Sequence, residues 1–194
     1  MSGVWALVSK KFAEKGGHVR VVAVFGAASD KISKQAKENA QKLGKWLGVY
    51  NKHLIFGAGD CGVMGEVHKG YSKGQPVTRA FGSTTYYLDI MEPTVRDAHI
   101  VSTHNMSNRK EIYWLADTMI IMLGGVGTMD ELFEFMTMKR LKRWTGKIYI
   151  LTGSKQAKLL KALFDNMVIE KTLPKWEDLV EFVTLQQLLD KVEE

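Results

Sequence analysis

Thr118-Met119-Ile120-Ile121-Met122-Leu123-Gly124-Gly125-Val126-Gly127-Thr128-Met129-Asp130-Glu131 passes from an apolar run, through a glycine-rich turn, into a stretch that starts a helix. The run from Thr118 to Leu123 is short and apolar, as a strand buried on both faces would be. Thr128 to Arg143 then reads as a helix. A strand that stops at glycines and opens into a helix is the repeating unit of parallel α/β sheets. Glycine lets the backbone approach a ligand closely, and the helix start supplies unpaired N–H groups with a partial positive charge. The stretch is therefore both a fold signal and a phosphate-binding turn.

The same pattern recurs on either side. His18 to Phe25 is Val-rich and reads as a strand ending at Gly26. Ser29 or Asp30 can cap the next helix, which carries Ile32, Ala36, Ala40, Leu43 and Leu47 on one face. His53 to Phe56 is a strand, Gly57-Ala58-Gly59-Asp60-Cys61-Gly62 its turn, and a helix is expected from about Val63 to Tyr71. Pro76 to Phe81 and Ala98 to Ser102 read as strands, with a polar loop from Gly82 to Pro93 between them. Asn108 to Ala116 reads as helix and Lys147 to Leu151 as strand. Helices near Ser154 to Val168 and Leu185 to Val192 flank a last strand at Phe182-Val183. A further amphipathic helix is expected at Val4 to Lys15. Alternation of strands and helices predicts an α/β fold: a doubly wound, mostly parallel sheet with helices on both faces. No linker or repeat interrupts it, so one domain over residues 1–194 is expected.

Composition narrows the function. At 194 residues, 45% hydrophobic and 25% charged, the chain matches ordinary soluble globular proteins. No apolar run approaches the roughly 20 residues of a membrane span. Met1 to Phe12 lacks a signal-peptide pattern, and a cytoplasmic location is expected. The single cysteine, Cys61, reads as a small packing residue. His18, His53, His68, His99 and His104 show no zinc-ligand spacing, so no metal is expected. The formal charge of +6 admits an anionic partner. The densest basic run, Lys139-Arg140-Leu141-Lys142-Arg143, reads as a solvated helix face, and no known nucleic-acid motif accompanies it. Nucleic acid is not the expected partner.

In a doubly wound sheet, ligands sit at the carboxyl ends of the strands. Three strands here run into small-residue turns: Gly26-Ala27-Ala28-Ser29, Gly57 to Gly62, and Gly124 to Thr128. The second matches G-x-G-x-x-G letter for letter. It follows the second strand rather than the first, and Phe81-Gly82-Ser83-Thr84 offers no acidic ribose partner, so nicotinamide chemistry is set aside. In the third turn, Thr128-Met129-Asp130-Glu131 fits a capping box, with Thr128 as N-cap and Glu131 reaching back to the cap N–H. The other reading places Glu131 against a phosphate-anchored sugar, where a carboxylate stabilises a developing oxocarbenium ion or orients water. Both stand at this point.

Two segments carry a resemblance. Met106-Ser107-Asn108-Arg109-Lys110 is similar to an M-x-x-R-K motif, and Gly124-Gly125-Val126-Gly127-Thr128-Met129-Asp130-Glu131 to a G-G-x-G-T-x-x-E motif. Their order and separation resemble the Lonely Guy (LOG) family of cytokinin-activating nucleoside 5′-monophosphate phosphoribohydrolases. Gly57 to Gly65 resembles that family's G-G-G-x-x-G-L-M-G turn. The likeness runs from about His18 to Leu151. It implies a modified Rossmann fold, usually a homodimer with sites near the interface. It implies hydrolysis of the N-glycosidic bond of an adenosine-type or cytokinin nucleoside 5′-monophosphate such as AMP, releasing base and ribose 5-phosphate with no metal or organic cofactor. Arg109 and Glu131 fall at the catalytic positions. Met106, Lys110, Gly124, Gly125, Val126, Gly127, Thr128 and Thr137 fall at nucleotide-binding positions, with Gly26, Ser29, Gly57 and Gly59 from the earlier turns, and Glu92 as a looser match. The alternative is a LOG-like domain that binds or senses a nucleotide without cleaving it. The sequence departs from the pattern at Leu123, where the family has Pro, at Ser107-Asn108, and in the basic run after Thr137.

Overall fold

The computed structural model of the chain describes residues 20–74, 79–87 and 94–193. The expected helix at Val4 to Lys15, the first residues of the expected strand at Pro76, and Glu92 lie outside the described residues. Seven strands form one sheet: β1 Val21–Phe25, β2 His53–Phe56, β3 Ala80–Thr85, β4 His99–Thr103, β5 Thr118–Ile121, β6 Lys147–Leu151 and β7 Glu181–Val183. Every pairing is parallel, in the order β4-β3-β2-β1-β5-β6-β7. The chain winds outward from β1 to β4, then returns to pair β5 with β1 on the other side. That reversal makes the carboxyl ends of β1 and β5 the topological switch point, the usual ligand crevice of such sheets.

The helices are α1 Lys34–Val49, α2 Gly62–Ser72, α3 Met106–Glu111, α4 Val126–Arg140, α5 Lys155–Ile169 and α6 Leu185–Glu193. Alternate residues of the central strands feed two cores, as a two-residue side-chain period requires. Val21, Ala23, Phe25, Met119 and Ile121 pack with Leu132, Phe135 and Phe164 of α4 and α5. Val22, Val24, Ile120 and Met122 pack on the other face with Leu43 and Leu47 of α1, Val63 and Val67 of α2, and Leu188 of α6. The doubly wound architecture is as the sequence predicts.

Four boundaries differ, each for a physical reason. Helix α1 begins at Lys34 with Ser33 as N-cap, its hydroxyl accepting the Ala36 N–H at 3.2 Å, so neither Ser29 nor Asp30 caps it. Strand β3 continues through Gly82 to Thr85, where a loop was expected. Ser83, Thr84 and Thr85 are buried and paired to β4 despite their polarity. The helix expected from Asn108 splits into α3 and a 3-10 turn at Ile112–Leu115. Helix α4 begins at Val126, with Gly125 as N-cap and no side-chain cap bond. Thr128 is therefore inside the first turn and the capping box does not form.

Candidate active site

The turns after β1, β2 and β5 meet at the switch point but have different uses. The β1 and β5 turns are tied by Met122 N–H to the Phe25 carbonyl at 2.9 Å and Ala27 N–H to the Leu123 carbonyl at 2.8 Å. The β1 turn does not open into a helix; its Gly26 packs on Val63 of α2. The β2 turn opens into α2, but that helix mouth is filled from within. Asp30 Oδ1 accepts the Gly62 N–H at 3.1 Å, and the Ala27 carbonyl accepts the Val63 N–H at 2.7 Å. The Gly62 bond holds the Asp30 carboxyl below its ordinary range. The α2 mouth thus presents a carboxylate where an incoming phosphate would need a free N–H.

The β5 turn is open. Val126 is 88% exposed, and Gly125 and Gly127 are exposed beside it. A Cβ placed on Gly124 would strike the Thr128 hydroxyl at 2.2 Å, and those on Gly57 and Gly59 would strike Arg109 and Met64. At Gly125 and Gly127 the same Cβ meets no described atom within 4 Å. Neither residue has a positive φ. At Gly127, inside a helix where glycine costs about 0.5–1 kcal/mol relative to alanine, neither packing among the described residues nor backbone conformation calls for glycine. The space left there lies over the first-turn N–H groups, which have no intrahelical partner.

Glu131 follows one turn along α4. It is buried, and with the capping box absent it makes no hydrogen bond or ion pair to the described residues. Burial pushes its carboxyl up to about 8, while Arg109 and Lys110 favour the ionised form and Asp130 and Glu134 oppose it. A buried acid whose ionisation is opposed in this way, beside an open helix mouth, is a candidate functional group.

Arg109 is placed by backbone. Its Nε donates to the Ser83 carbonyl at 2.9 Å and its Nη2 to the Gly57 carbonyl at 3.1 Å, and Met106 Sδ lies 3.9 Å from Nη1. Ser83 returns the contact, its hydroxyl donating to the Arg109 carbonyl at 2.8 Å. Three of the guanidinium's five donors are thereby spent on orientation, one of them on the weak sulfur acceptor. Tyr113 is fully buried below, close enough to feel the charges of both Glu131 and Arg109.

Not every residue singled out in the sequence joins this group. Lys110 Nζ pairs with Asp130 at 3.0 Å and Glu134 at 2.5 Å, so it straps α3 to α4. Burial works against its charge, but Glu134 and Asp130 outweigh that and hold its ammonium above the ordinary lysine range. Thr137 lies eleven residues beyond Val126, about 16 Å along the axis. Its hydroxyl donates to the Phe133 carbonyl at 2.8 Å. Ser29 is exposed on the β1 turn, where its hydroxyl accepts the Lys31 N–H at 3.3 Å. Two residues that sequence reading passed over belong here: Ser83, for its grip on Arg109, and Gln156, whose amide bonds both polar groups of Gly124. Neither has a local sequence signal, because each acts on a residue at least 26 positions away. Among the described residues no three His, Cys, Asp or Glu side chains gather as a metal site would require, and no helix is long and apolar enough to cross a membrane.

An all-parallel sheet with an open helix mouth at its switch point defines the class: a doubly wound, Rossmann-like α/β protein. The family model described as "Possible lysine decarboxylase" matches residues 64–191. A relative from Oryza sativa subsp. japonica, named a probable cytokinin riboside 5′-monophosphate phosphoribohydrolase, is 29% identical over 90% of this chain and 70% of its own length. The cytokinin riboside 5′-monophosphate phosphoribohydrolase LOG3 of Arabidopsis thaliana is 27% identical over 90% of this chain and 82% of its own. The chain belongs to this LOG family. Among solved structures, the molybdenum cofactor binding protein of Rippkaea orientalis aligns with a TM-score of 0.66 and 17% identity, over 90% of this chain and 96% of that one. The molybdenum cofactor carrier protein of Chlamydomonas reinhardtii aligns with a TM-score of 0.64 and 18% identity, over 90% and 96%. At such identity the likeness is one of fold.

Proposed function

We propose that the chain hydrolyses the N-glycosidic bond of a purine nucleoside 5′-monophosphate, releasing the base and ribose 5-phosphate. The observation that supports this reading is the space that no described atom fills at Gly125 and Gly127, on a helix mouth one turn from a buried carboxyl with no partner among the described residues. The names of the relatives support the same chemistry.

On this reading the first-turn N–H groups of α4 hold the 5′-phosphate, with Val126 against the ribose or base. Anchoring the phosphate fixes the anomeric carbon against Glu131. As the C1′–N9 bond breaks, its electron pair goes to the base and positive charge builds on the ribose. The Glu131 carboxylate stabilises that charge and orients the water whose oxygen bonds to C1′; the water's proton ends on the departing base. A guanidinium keeps its proton throughout the physiological range, so Arg109 grips oxygens and favours the ionised form of Glu131. No step calls on a metal or cofactor. The family resemblance brings a homodimer into the same proposal, and the sequence reading a cytoplasmic setting.

The test is incubation with AMP and with a cytokinin riboside 5′-monophosphate, followed by chromatography for free base, for the wild type and Glu131→Gln. Release by the wild type and its loss in the variant are expected, with fold and nucleotide binding kept. Tight binding without release by the wild type would replace hydrolysis with a sensing or carrying role. Unchanged turnover in Glu131→Gln would remove that residue from the chemistry.

A further inference from the structure

The open turn is held from outside by one side chain. Gln156, the second residue of α5, accepts the Gly124 N–H on Oε1 at 3.0 Å and donates through Nε2 to the Gly124 carbonyl at 2.5 Å. Paired bonds to one residue's N–H and carbonyl are what a neighbouring strand supplies. Strand β6 is the neighbour of β5 but stops at Leu151, two residues short of the turn's level. The next N–H, Thr152, goes to the Val183 carbonyl at 2.8 Å, and Gly153, at φ 100°, carries the chain away. The amide of Gln156 takes the place of the missing strand.

The clamp is itself well founded. Ser154 caps α5 by accepting the Ala157 N–H at 3.0 Å, which fixes the first turn from which Gln156 projects. Leu123, Met129, Ala157 and Leu160 close around it, leaving a cavity of about 10 Å³. The residues it steadies are Gly124 and Gly125, which have no side chain to limit rotation of the peptide between them.

We propose that Gln156 is a positioning residue for the phosphate mouth: it pins the Gly124 peptide so that the N–H groups of α4's first turn converge on one point. This rests on the phosphoribohydrolase reading. Its consequence is selective. Losing the clamp weakens the grip on a phosphoryl group and leaves Arg109, held by the Ser83 and Gly57 carbonyls, and Glu131, buried one turn further along α4, in place.

The experiment compares the wild type with Gln156→Met, which keeps the side-chain length and loses both bonds. Steady-state rates are measured on AMP and on adenosine, with AMP affinity by calorimetry and inorganic phosphate as a competitor. KM for AMP is expected to rise at least tenfold with kcat within about threefold, and inhibition by phosphate to weaken by a similar factor. The slow rate on adenosine, which lacks the phosphate, is expected to be unchanged. Equal AMP affinity in the wild type and variant, or equal losses on AMP and adenosine, overturns the clamp. A wild type that neither binds nor cleaves AMP overturns the functional reading instead. If Gln156→Met does not fold, Gln156→Glu, which keeps the acceptor for the Gly124 N–H and loses the donor, is read the same way.

Discussion

Gly127→Ala adds one methyl group to the first turn of α4, at a position where it meets no described atom within 4 Å. For the fold the change is favourable. Alanine exceeds glycine in a helix by about 0.5–1 kcal/mol, which for a chain of this size raises the melting temperature by about 1–4 °C. For the ligand it is unfavourable. Helical Cα–Cβ bonds tilt toward the N-terminus, so the methyl leans over the mouth where a phosphate oxygen would sit. Moving that oxygen outward by about 1 Å takes an N–H···O contact from about 2.9 Å to beyond hydrogen-bond range. One hydrogen bond to a charged group is worth about 1.5–3 kcal/mol, or roughly a ten- to hundredfold loss of affinity. The assays are thermal melting without ligand, and calorimetric titration with AMP. A raised melting temperature together with unchanged AMP affinity would refute the argument, because the space at Gly127 would then serve no phosphate.

Gly57→Ala acts on the other side of the site. Its Cβ would stand 2.6 Å from Arg109 Nη2, so the guanidinium must move by about 1 Å. A displacement of that size costs on the order of 10²-fold in rate, and kcat on AMP is the measurement; an unchanged kcat would free Arg109 from the mechanism. Ser83→Ala removes the 2.8 Å bond to the Arg109 carbonyl. About 1 kcal/mol of stability and a severalfold drop in kcat are expected, read by melting and initial rates. The pH profile tests Glu131. If its carboxylate is the working form, kcat/KM on AMP rises with pH through about 8, where burial has placed the group. Stability has the opposite slope. The folded state holds the Glu131 proton more tightly than the unfolded state, so this group's contribution falls as pH rises from about 4.5 to about 8. Glu131→Gln removes the effect, and its melting temperature relative to the wild type is expected to be higher at pH 9 than at pH 5.

The sheet was legible because its central strands are buried on both faces and spell that burial in Val, Ile, Leu and Phe. Val21 to Phe25, His53 to Phe56 and Lys147 to Leu151 needed nothing beyond composition and turn residues. Strand β3 was only half legible. Ser83, Thr84 and Thr85 are polar by type yet buried by position, and only the pairing with β4 reveals it. The start of α4 was misread by one turn, because a Thr ahead of an acid suggests a cap while glycines suggest a loop. Here Gly125 to Gly127 enter the helix without any side-chain cap. Arg109 and Glu131 could be picked out by motif. What their neighbours do could not, since the contacts of Ser83, Gln156 and Lys110 span 20 to 32 positions. Nor does a sequence distinguish a helix mouth kept open from one that the protein fills with its own groups.

The mouth of α2 shows the chain using a charge of its own. Two helix starts follow glycine-rich turns in this fold, those of α2 and α4. One of them already holds a carboxylate fixed by the Gly62 N–H. If α4 is the phosphate site proposed above, a phosphoryl group drawn toward α2 instead would meet like charge there, so the two mouths differ in sign although their turns look alike.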